Sequence, residues 1–90
     1  MWIETLEIDE HIEDKIQSKH AVSFEECWEV CVGTHLERRG RDDTRVLLGR
    51  TEAGRYLMTV LAPKGSARAK LVTAREMTEA ERRQFQEITQ

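Results

Sequence analysis

The chain has 90 residues, of which 39% are hydrophobic and 34% are charged, and its formal net charge is −3. This length suits one small domain, and the composition is that of a compact globular protein. No apolar run is long enough to cross a bilayer, and the acidic start lacks the basic segment of a secretory signal. We therefore expect one domain over residues 1–90, located in the cytoplasm.

Charge is unevenly distributed along the chain. Residues 1–37 carry ten acidic and two basic side chains, whereas residues 38–90 carry seven acidic and twelve basic ones, including all ten arginines. The net negative charge argues against a protein that coats nucleic acid over its whole surface. The basic second half still permits one face that contacts phosphates.

The first third of the chain predicts one strand and two helices. Alternating residues over 2–8 indicate a strand at a sheet edge. Asp9 is a suitable N-cap for a helix over residues 10–19. A second helix over residues 24–32 has an apolar stripe at helical spacing, and Gly33 follows as a stop signal.

The turn between these helices carries strong local signals. Ser23 and Glu26 have the spacing of a capping box, and Val22 can pack against Cys27 as a hydrophobic staple. His20 therefore lies on a well-defined turn. An imidazole held there can act at neutral pH as an acid, a base or a contact for an anion.

Cys27 and Cys31 lie four residues apart on the second helix. We interpret them as small buried hydrophobic residues. Neighbouring helical turns give poor geometry for a disulfide, and no further ligands stand at a spacing suited to zinc. The sequence therefore predicts no metal site and no cofactor.

The second half predicts strands joined by short turns, followed by a helix. The strands are expected over residues 45–50, 55–62 and 68–75, with a further short one over 34–39. Residues 51–54 predict a hairpin loop with Gly54 at positive φ, and residues 63–66 predict another turn. Thr78 and Glu81 have capping-box spacing at the start of a helix that ends near Ile88.

These elements predict an α+β fold. We expect a small antiparallel sheet of three to four strands, with two N-terminal helices and a C-terminal helix that all pack on one face of the sheet. The C-terminal helix has only a thin apolar stripe, so weak docking is expected.

Two segments resemble the signatures of BrnT-type toxins, which are RelE-like ribonuclease toxins of bacterial type II toxin–antitoxin systems. Residues 19–26 read like the family pattern Lys-His-Gly-Val-x-Phe-Glu-Glu, and residues 73–85 read like Ser-Ala-Arg-x-x-Thr-x-x-Glu-Arg-Arg-x-Tyr. Gly49-Arg50 and the segment 54–57 stand between them in the expected order. The resemblance covers nearly the whole chain.

The resemblance implies a RelE-like fold and metal-independent RNA cleavage without a cofactor. It also implies neutralisation by a cognate antitoxin protein that binds DNA. The expected partners are RNA and this antitoxin, with no membrane, in a homodimer or a toxin–antitoxin hetero-oligomer. The glycine of the first signature is Ala21 here, so a left-handed backbone conformation at that position is less favourable.

Metal-free RNA cleavage requires groups that move protons and cations that stabilise the phosphate. His20 is the candidate acid or base, and Lys19 can contact the phosphate or lower the pKa of His20. Arg50 and Arg75 are the candidate phosphate-binding cations, because each ends a predicted strand at a turn. The alternatives are that His20 only closes the first helix, and that the two arginines form surface ion pairs with Glu52, Glu76 or Glu79.

A second set of residues is predicted to bind RNA. Tyr56 can stack on a base, although such a tyrosine is often simply half-buried. Thr78 starts a helix whose free N–H groups favour an anion. The RNA-binding candidates are Arg45, Arg55, Tyr56 and Thr78. The alternative function is a catalytically inactive protein-interaction module with the same fold.

Overall fold

The computed structural model describes residues 2–89. Its helices are α1 (Glu10–His20), α2 (Phe24–Val32) and α3 (Glu79–Thr89). Its strands are β1 (Thr5–Glu7), β2 (His35–Arg39), β3 (Arg45–Arg50), β4 (Tyr56–Gly65) and β5 (Arg68–Glu76). Within this part of the chain, no helix has the length and apolar content required to span a membrane.

The strands form one sheet in the order β1-β5-β4-β3-β2. Neighbouring strands are antiparallel except β1, which runs parallel to β5 with Thr5 opposite Arg68. The expectation of three to four antiparallel strands is therefore wrong, because residues 2–89 contain five strands in a mixed sheet. Local turn residues indicate a hairpin. The β1–β5 pairing joins distant segments of the chain, so no local residue pattern indicates it.

Apolar side chains lie on both faces of the sheet. Leu47 is fully buried in a core that includes residues of α1 and α2. Its neighbour Leu48 points the opposite way and packs with Met58 and Phe85 of α3. The expected packing of all helices on one face is therefore wrong, because successive side chains of a strand alternate between faces and both faces here are apolar.

The β4–β5 hairpin is tighter than expected. A turn was predicted over residues 63–66, but β4 continues to Gly65 and only Ser66 and Ala67 separate it from β5. Pro63 is accommodated inside β4 because the strand register shifts between Pro63 and Gly65. Such irregular positions are where a strand tolerates a residue without an N–H group.

The helix-capping predictions are confirmed at α2. Ser23 Oγ accepts from the Glu26 N–H at 3.1 Å, and the Ser23 N–H donates to Glu26 Oε1 at 3.0 Å. Asp9 occupies the N-cap position of α1, but its side chain makes no capping hydrogen bond. Its carboxylate instead lies 2.8 Å from Lys70 Nζ, and hydrogen bonding to Lys70 lowers the pKa of Asp9.

Cys27 and Cys31 are both buried free thiols in the core beneath α2. Burial raises the pKa of Cys27 to about 12 and that of Cys31 to about 11. Both therefore remain protonated at neutral pH, as expected for structural cysteines. Val22 is also fully buried in the same core, consistent with its predicted role as a staple.

Ala21 ends α1 in the left-handed conformation, with φ of 52° and ψ of 41°. Its N–H donates to the Gln17 carbonyl at 3.0 Å, and the Val22 N–H donates to the Ile16 carbonyl at 3.1 Å. This geometry turns the chain sharply into α2. A residue with a Cβ is strained there by about 1–2 kcal/mol, and glycine is not.

We expect Ala21→Gly to raise the free energy of unfolding by about 1 kcal/mol, since glycine relieves the strain at positive φ. Urea denaturation of the two proteins measures the difference. Ala62→Gly in β4 is the matched control and should lower stability by about 0.5–1 kcal/mol, because glycine weakens an ordinary strand position. A loss of stability in both variants would show that Ala21 is not strained.

Candidate functional site

Three strand ends meet at one end of the sheet. Arg50, the last residue of β3, lies opposite Tyr56, the first residue of β4. Leu57 lies opposite Glu76, the last residue of β5. Residues 51–55 connect β3 to β4, and Gly54 has the expected positive φ of 94°. Side chains from distant parts of the sequence are thereby brought to one edge of the fold.

Arg55 fastens the α1–α2 turn to this sheet end. Its Nη1 donates to the Ala21 carbonyl at 2.7 Å and to both carboxylate oxygens of Glu26 at 3.0 Å. Its Nη2 donates to the His20 carbonyl at 3.3 Å and lies 3.7 Å from Glu76 Oε2. Arg55 thus positions the turn that carries His20.

Glu26 is held ionised by the same contacts. Burial opposes its ionisation, but the hydrogen bonds from the Ser23 N–H and from Arg55 outweigh that effect and lower its pKa. One carboxylate therefore caps α2 and anchors Arg55. The capping box predicted from sequence also has a tertiary role.

A cleft of about 400 Å³, here called the His20 cleft, lies where the turn faces the end of β5. It is lined by Ser18, Lys19, His20, Ala21, Arg75 and Glu76. His20 is half-buried and Lys19 is exposed. Within residues 2–89, neither of these two side chains has a hydrogen bond or ion pair of its own. Both are therefore available to a ligand.

Arg75 is oriented by Glu81 in the first turn of α3. Its Nη1 and Nη2 lie 2.8 and 3.1 Å from the two oxygens of that carboxylate, and Nη1 also donates to the Glu76 carbonyl at 2.9 Å. The hydrogen bond between the two side chains lowers the pKa of Glu81 and raises that of Arg75. Arg75 does form an ion pair, but its partner is not one of the three carboxylates considered from sequence.

The same Glu81 caps α3 together with Thr78. The Thr78 N–H donates to Glu81 Oε1 at 2.9 Å, and the Glu81 N–H donates to Thr78 Oγ1 at 3.2 Å. The predicted capping box is therefore confirmed. These contacts engage the N–H groups of Thr78 and Glu81, two of the donors at the helix start that were expected to favour an anion.

Arg50 lies apart from the His20 cleft. Its guanidinium carbon is 5.2 Å from the centre of the Tyr56 ring, and that of Arg82 is 4.1 Å from it. Phe85 meets the same ring edge-on at 6.0 Å, and Gln86 Nε2 donates to the Tyr56 hydroxyl at 3.2 Å. The hydrogen bond from Gln86 and the two nearby guanidiniums lower the pKa of Tyr56.

A second cleft of about 320 Å³, the Tyr56 cleft, adjoins the first. It is lined by Gly54, Arg55, Tyr56, Glu76, Met77 and Arg82. Glu76 lines both clefts and so marks their boundary. The surface from Lys19 to Arg82 is therefore mostly cationic, with an aromatic ring at one end and one exposed carboxylate in the middle.

Arg45 lies at the other end of β3, opposite Leu61 and Arg39. It donates to the Asp43 and Thr44 carbonyls at 2.9 and 3.2 Å. Arg50 is five positions further along β3, a distance of roughly 17 Å. The structure does not bring Arg45 to the two clefts.

Three site residues were not predicted from sequence, namely Glu76, Glu81 in its contact with Arg75, and Arg82. Helical spacing offered a signal for Arg82, because positions 82, 85 and 86 share a face of α3 and all three contact Tyr56. No local pattern marked Glu76. The position of Glu76 in the site follows only from the pairing of β5 with β4 and from the contact that the long Arg55 side chain makes with its carboxylate.

Another cavity, of about 620 Å³, lies away from this surface. It is lined by Trp2, Ile3, Glu4, Trp28, Cys31, Val32, Gly33 and His35. Its walls are largely apolar, so it lacks the cations that a phosphate requires. Among the residues that the structure describes, no cluster of His, Cys, Asp and Glu is arranged to hold a metal ion.

The molecule is an α+β protein whose mixed sheet carries helices on both faces, and this fold is shared with a bacterial toxin. The crystal structure of BrnT, the ribonuclease toxin of Brucella abortus, aligns with a TM-score of 0.71 over 83% of this chain and 97% of that one. The two sequences are 14% identical. No family model and no curated protein sequence matches the chain. The BrnT-type fold expected from the two signatures is confirmed.

Proposed function

We propose that the chain is a ribonuclease toxin that cleaves RNA without a metal ion and is neutralised by an antitoxin. The observation that carries this proposal is the His20 cleft, which brings Lys19, His20 and Arg75 together on the fold of a ribonuclease toxin. An imidazole beside two cations suits proton transfer at a phosphodiester. The site would act in the cytoplasm, where its RNA substrate is found.

The residues divide into two roles in this proposal. His20 transfers a proton at the scissile phosphodiester, while Lys19 and Arg75 bind the phosphate. Tyr56 and its two flanking guanidiniums, Arg50 and Arg82, contact the neighbouring nucleotides by stacking and by phosphate pairing. Arg50 thus belongs with RNA binding rather than with the scissile phosphate.

Arg75 retains donors for a phosphate while it is paired. A guanidinium has five N–H groups, and the contacts within residues 2–89 engage three of those on Arg75. Glu81 fixes the plane of the guanidinium, which favours bidentate contacts from the remaining edge. An oriented arginine binds a phosphate with less loss of side-chain entropy than a free one.

The antitoxin is proposed to cover the two clefts. The surface between Lys19 and Arg82 is mostly cationic, so a complementary partner carries carboxylates. Occupation of this surface would exclude RNA directly. The resulting complex is a toxin–antitoxin hetero-oligomer.

The proposal is tested by incubating the purified chain with a mixed-sequence RNA in excess EDTA. We expect fragments with 2′,3′-cyclic phosphate and 5′-hydroxyl ends, because a metal-free site uses the ribose 2′-hydroxyl as nucleophile. Mass spectrometry identifies the ends. The matching DNA oligonucleotide, which lacks that hydroxyl, must remain intact. Absence of RNA cleavage, or equal cleavage of DNA, would contradict the proposal.

The second candidate function is a protein-interaction module without catalytic activity. The observation that favours it is the engagement of Arg55 and Arg75 with the carboxylates of Glu26 and Glu81. Under this second function, these two arginines only stabilise the fold. An intact, folded chain that leaves RNA uncut in the assay above would support this function.

A further inference from the structure

We propose that Glu76 is the second proton-transfer group of this site and acts as the base while His20 acts as the acid. This inference rests on the proposed ribonuclease function and names a catalytic residue for it. Cleavage at the 2′-hydroxyl requires one group to remove a proton and another to supply one. Of the residues predicted from sequence, His20 alone was a candidate for these two tasks.

The position of Glu76 is set by two independent constraints. The strand register places it at the last position of β5, opposite Leu57, where it lines both the His20 cleft and the Tyr56 cleft. A single nitrogen, Arg55 Nη2, lies 3.3 Å from the His20 carbonyl and 3.7 Å from Glu76 Oε2. One guanidinium therefore lies between the carboxylate and the turn that carries His20.

Glu76 is also the accessible carboxylate of the two clefts. Its side chain is 68% exposed, and its contact with Arg55 is longer than the paired 3.0 Å contacts that Arg55 makes with Glu26. Glu26 caps α2, and Glu81 caps α3 while it pairs with Arg75. These two carboxylates are occupied by the fold, whereas Glu76 faces the space that a substrate would fill.

Two carboxylates lie behind the arginines that surround Glu76, because Arg55 also pairs with Glu26 and Arg75 pairs with Glu81. Apart from the Tyr56 hydroxyl, the other charged or titratable groups that line the clefts are basic. Arg55 lies beside Glu76, Lys19 and His20 line the cleft on one side, and Arg82 lines the cleft on the other. The basic side chains that line the two clefts offset the negative charge of Glu76 toward an incoming phosphate.

The reaction balances with these two groups. The Glu76 carboxylate removes the proton of the 2′-hydroxyl, and the 2′-oxygen forms a bond to phosphorus. The bond from phosphorus to the 5′-oxygen breaks, its electron pair stays on that oxygen, and the His20 imidazolium supplies the proton. The products are a 2′,3′-cyclic phosphate and a 5′-hydroxyl, and exchange with water restores both side chains.

The two roles predict a particular pH dependence. The active form needs an ionised carboxylate and a protonated imidazole, so the rate falls at low pH as the carboxylate gains a proton. It also falls at high pH as the imidazole loses one. A site that uses His20 alone as a base would instead gain activity as the pH rises.

We expect Glu76→Gln to lower the cleavage rate by about 10²–10⁴-fold. The residual rate should no longer fall at low pH, while the fall at high pH remains. Single-turnover rates measured across the pH range in EDTA test both statements. Glu79→Gln is the matched control, because Glu79 is 92% exposed on α3 and its one ion pair among residues 2–89 is with Arg83, at 3.6 Å.

The outcomes separate this inference from the function on which it rests. A wild-type chain that cleaves no RNA overturns both. If the wild type is active and His20→Ala is inactive, a Glu76→Gln variant with the wild-type rate and pH profile overturns the role of Glu76 alone. Glu76→Asp keeps the carboxylate and should restore the fall in rate at low pH.

Discussion

Replacing His20 with alanine should lower the rate of RNA cleavage by about 10²–10⁴-fold, because the cleft then lacks its imidazole for proton transfer. The variant should remain folded. The ring is half-buried, and within residues 2–89 it makes no hydrogen bond, so we expect a change in stability within about 0.5 kcal/mol. Single-turnover cleavage in EDTA and urea denaturation measure the two effects separately.

His11 supplies the matched control for this experiment. It is an exposed histidine on the same helix and lines neither cleft. His11→Ala should therefore keep the wild-type cleavage rate. Equal rates for the wild type and both variants would show that His20 only closes α1, which is the structural alternative considered from sequence.

Replacing Arg75 with alanine should lower the cleavage rate by about 10²–10³-fold, the usual effect of losing one donor to the charge that develops in a transition state. It should also lower the free energy of unfolding by about 1 kcal/mol, because Glu81 loses its partner. The cleavage assay and urea denaturation again report the two losses independently.

Glu81→Gln separates these two effects. The variant removes the charge that holds Arg75 but keeps the guanidinium in the cleft, so it should lose stability while retaining most of the cleavage rate. If Arg75 has only a structural role, the two variants should lose similar stability and neither should lose activity. The comparison therefore isolates the contact with phosphate from the contact with Glu81.

The same pair makes stability depend on pH. The pKa of Glu81 is lowered in the folded state, chiefly by its hydrogen bond with Arg75. The stabilisation that ionised Glu81 contributes to the folded state is complete above the carboxyl pKa of the unfolded chain, which is about 4.3. This stabilisation is lost as the pH falls through the lower pKa that Glu81 has in the folded state. Glu81→Gln should therefore be less stable than the wild type at neutral pH, and the difference should shrink in acid.

Local sequence signals predicted much of the fold. The capping boxes at Ser23 and Thr78 fixed the starts of α2 and α3, and Gly54 marked the β3–β4 loop. These features depend on residues within a few positions of each other, so a single sequence reveals them. The predicted bounds of β3, residues 45–50, agree with the observed strand for the same reason.

The errors arose where distant segments meet. Nothing near Thr5 indicates that it pairs with Arg68, and the apolar residues on both faces of β3 and β4 were not recognised as a surface for α3. Tertiary pairing of this kind depends on the whole chain. The β4–β5 turn was misplaced because Pro63 is usually a turn signal but here lies within a strand irregularity.

The candidate site was predicted only in part. His20, Lys19 and Arg75 line one cleft, as their motif positions suggested. Arg50 lies on the Tyr56 ring instead. The two residues are opposite each other in the β3–β4 pairing, so the Arg50 side chain lies on the face of the sheet that α3 covers. Arg55 contacts the α1–α2 turn and positions it. No pattern of residue types and spacings in the sequence indicates this contact.

The parallel pairing of β1 with β5 also bears on how the protein emerges from the ribosome. The N-terminal strand has no neighbour in the sheet until Arg68 to Lys70 have been synthesised. Arg75 is synthesised later still. Most of the chain is therefore translated before the guanidinium that lines the cleft with His20 is present. Because domains generally fold as units, a nascent or truncated chain would lack an assembled His20 cleft.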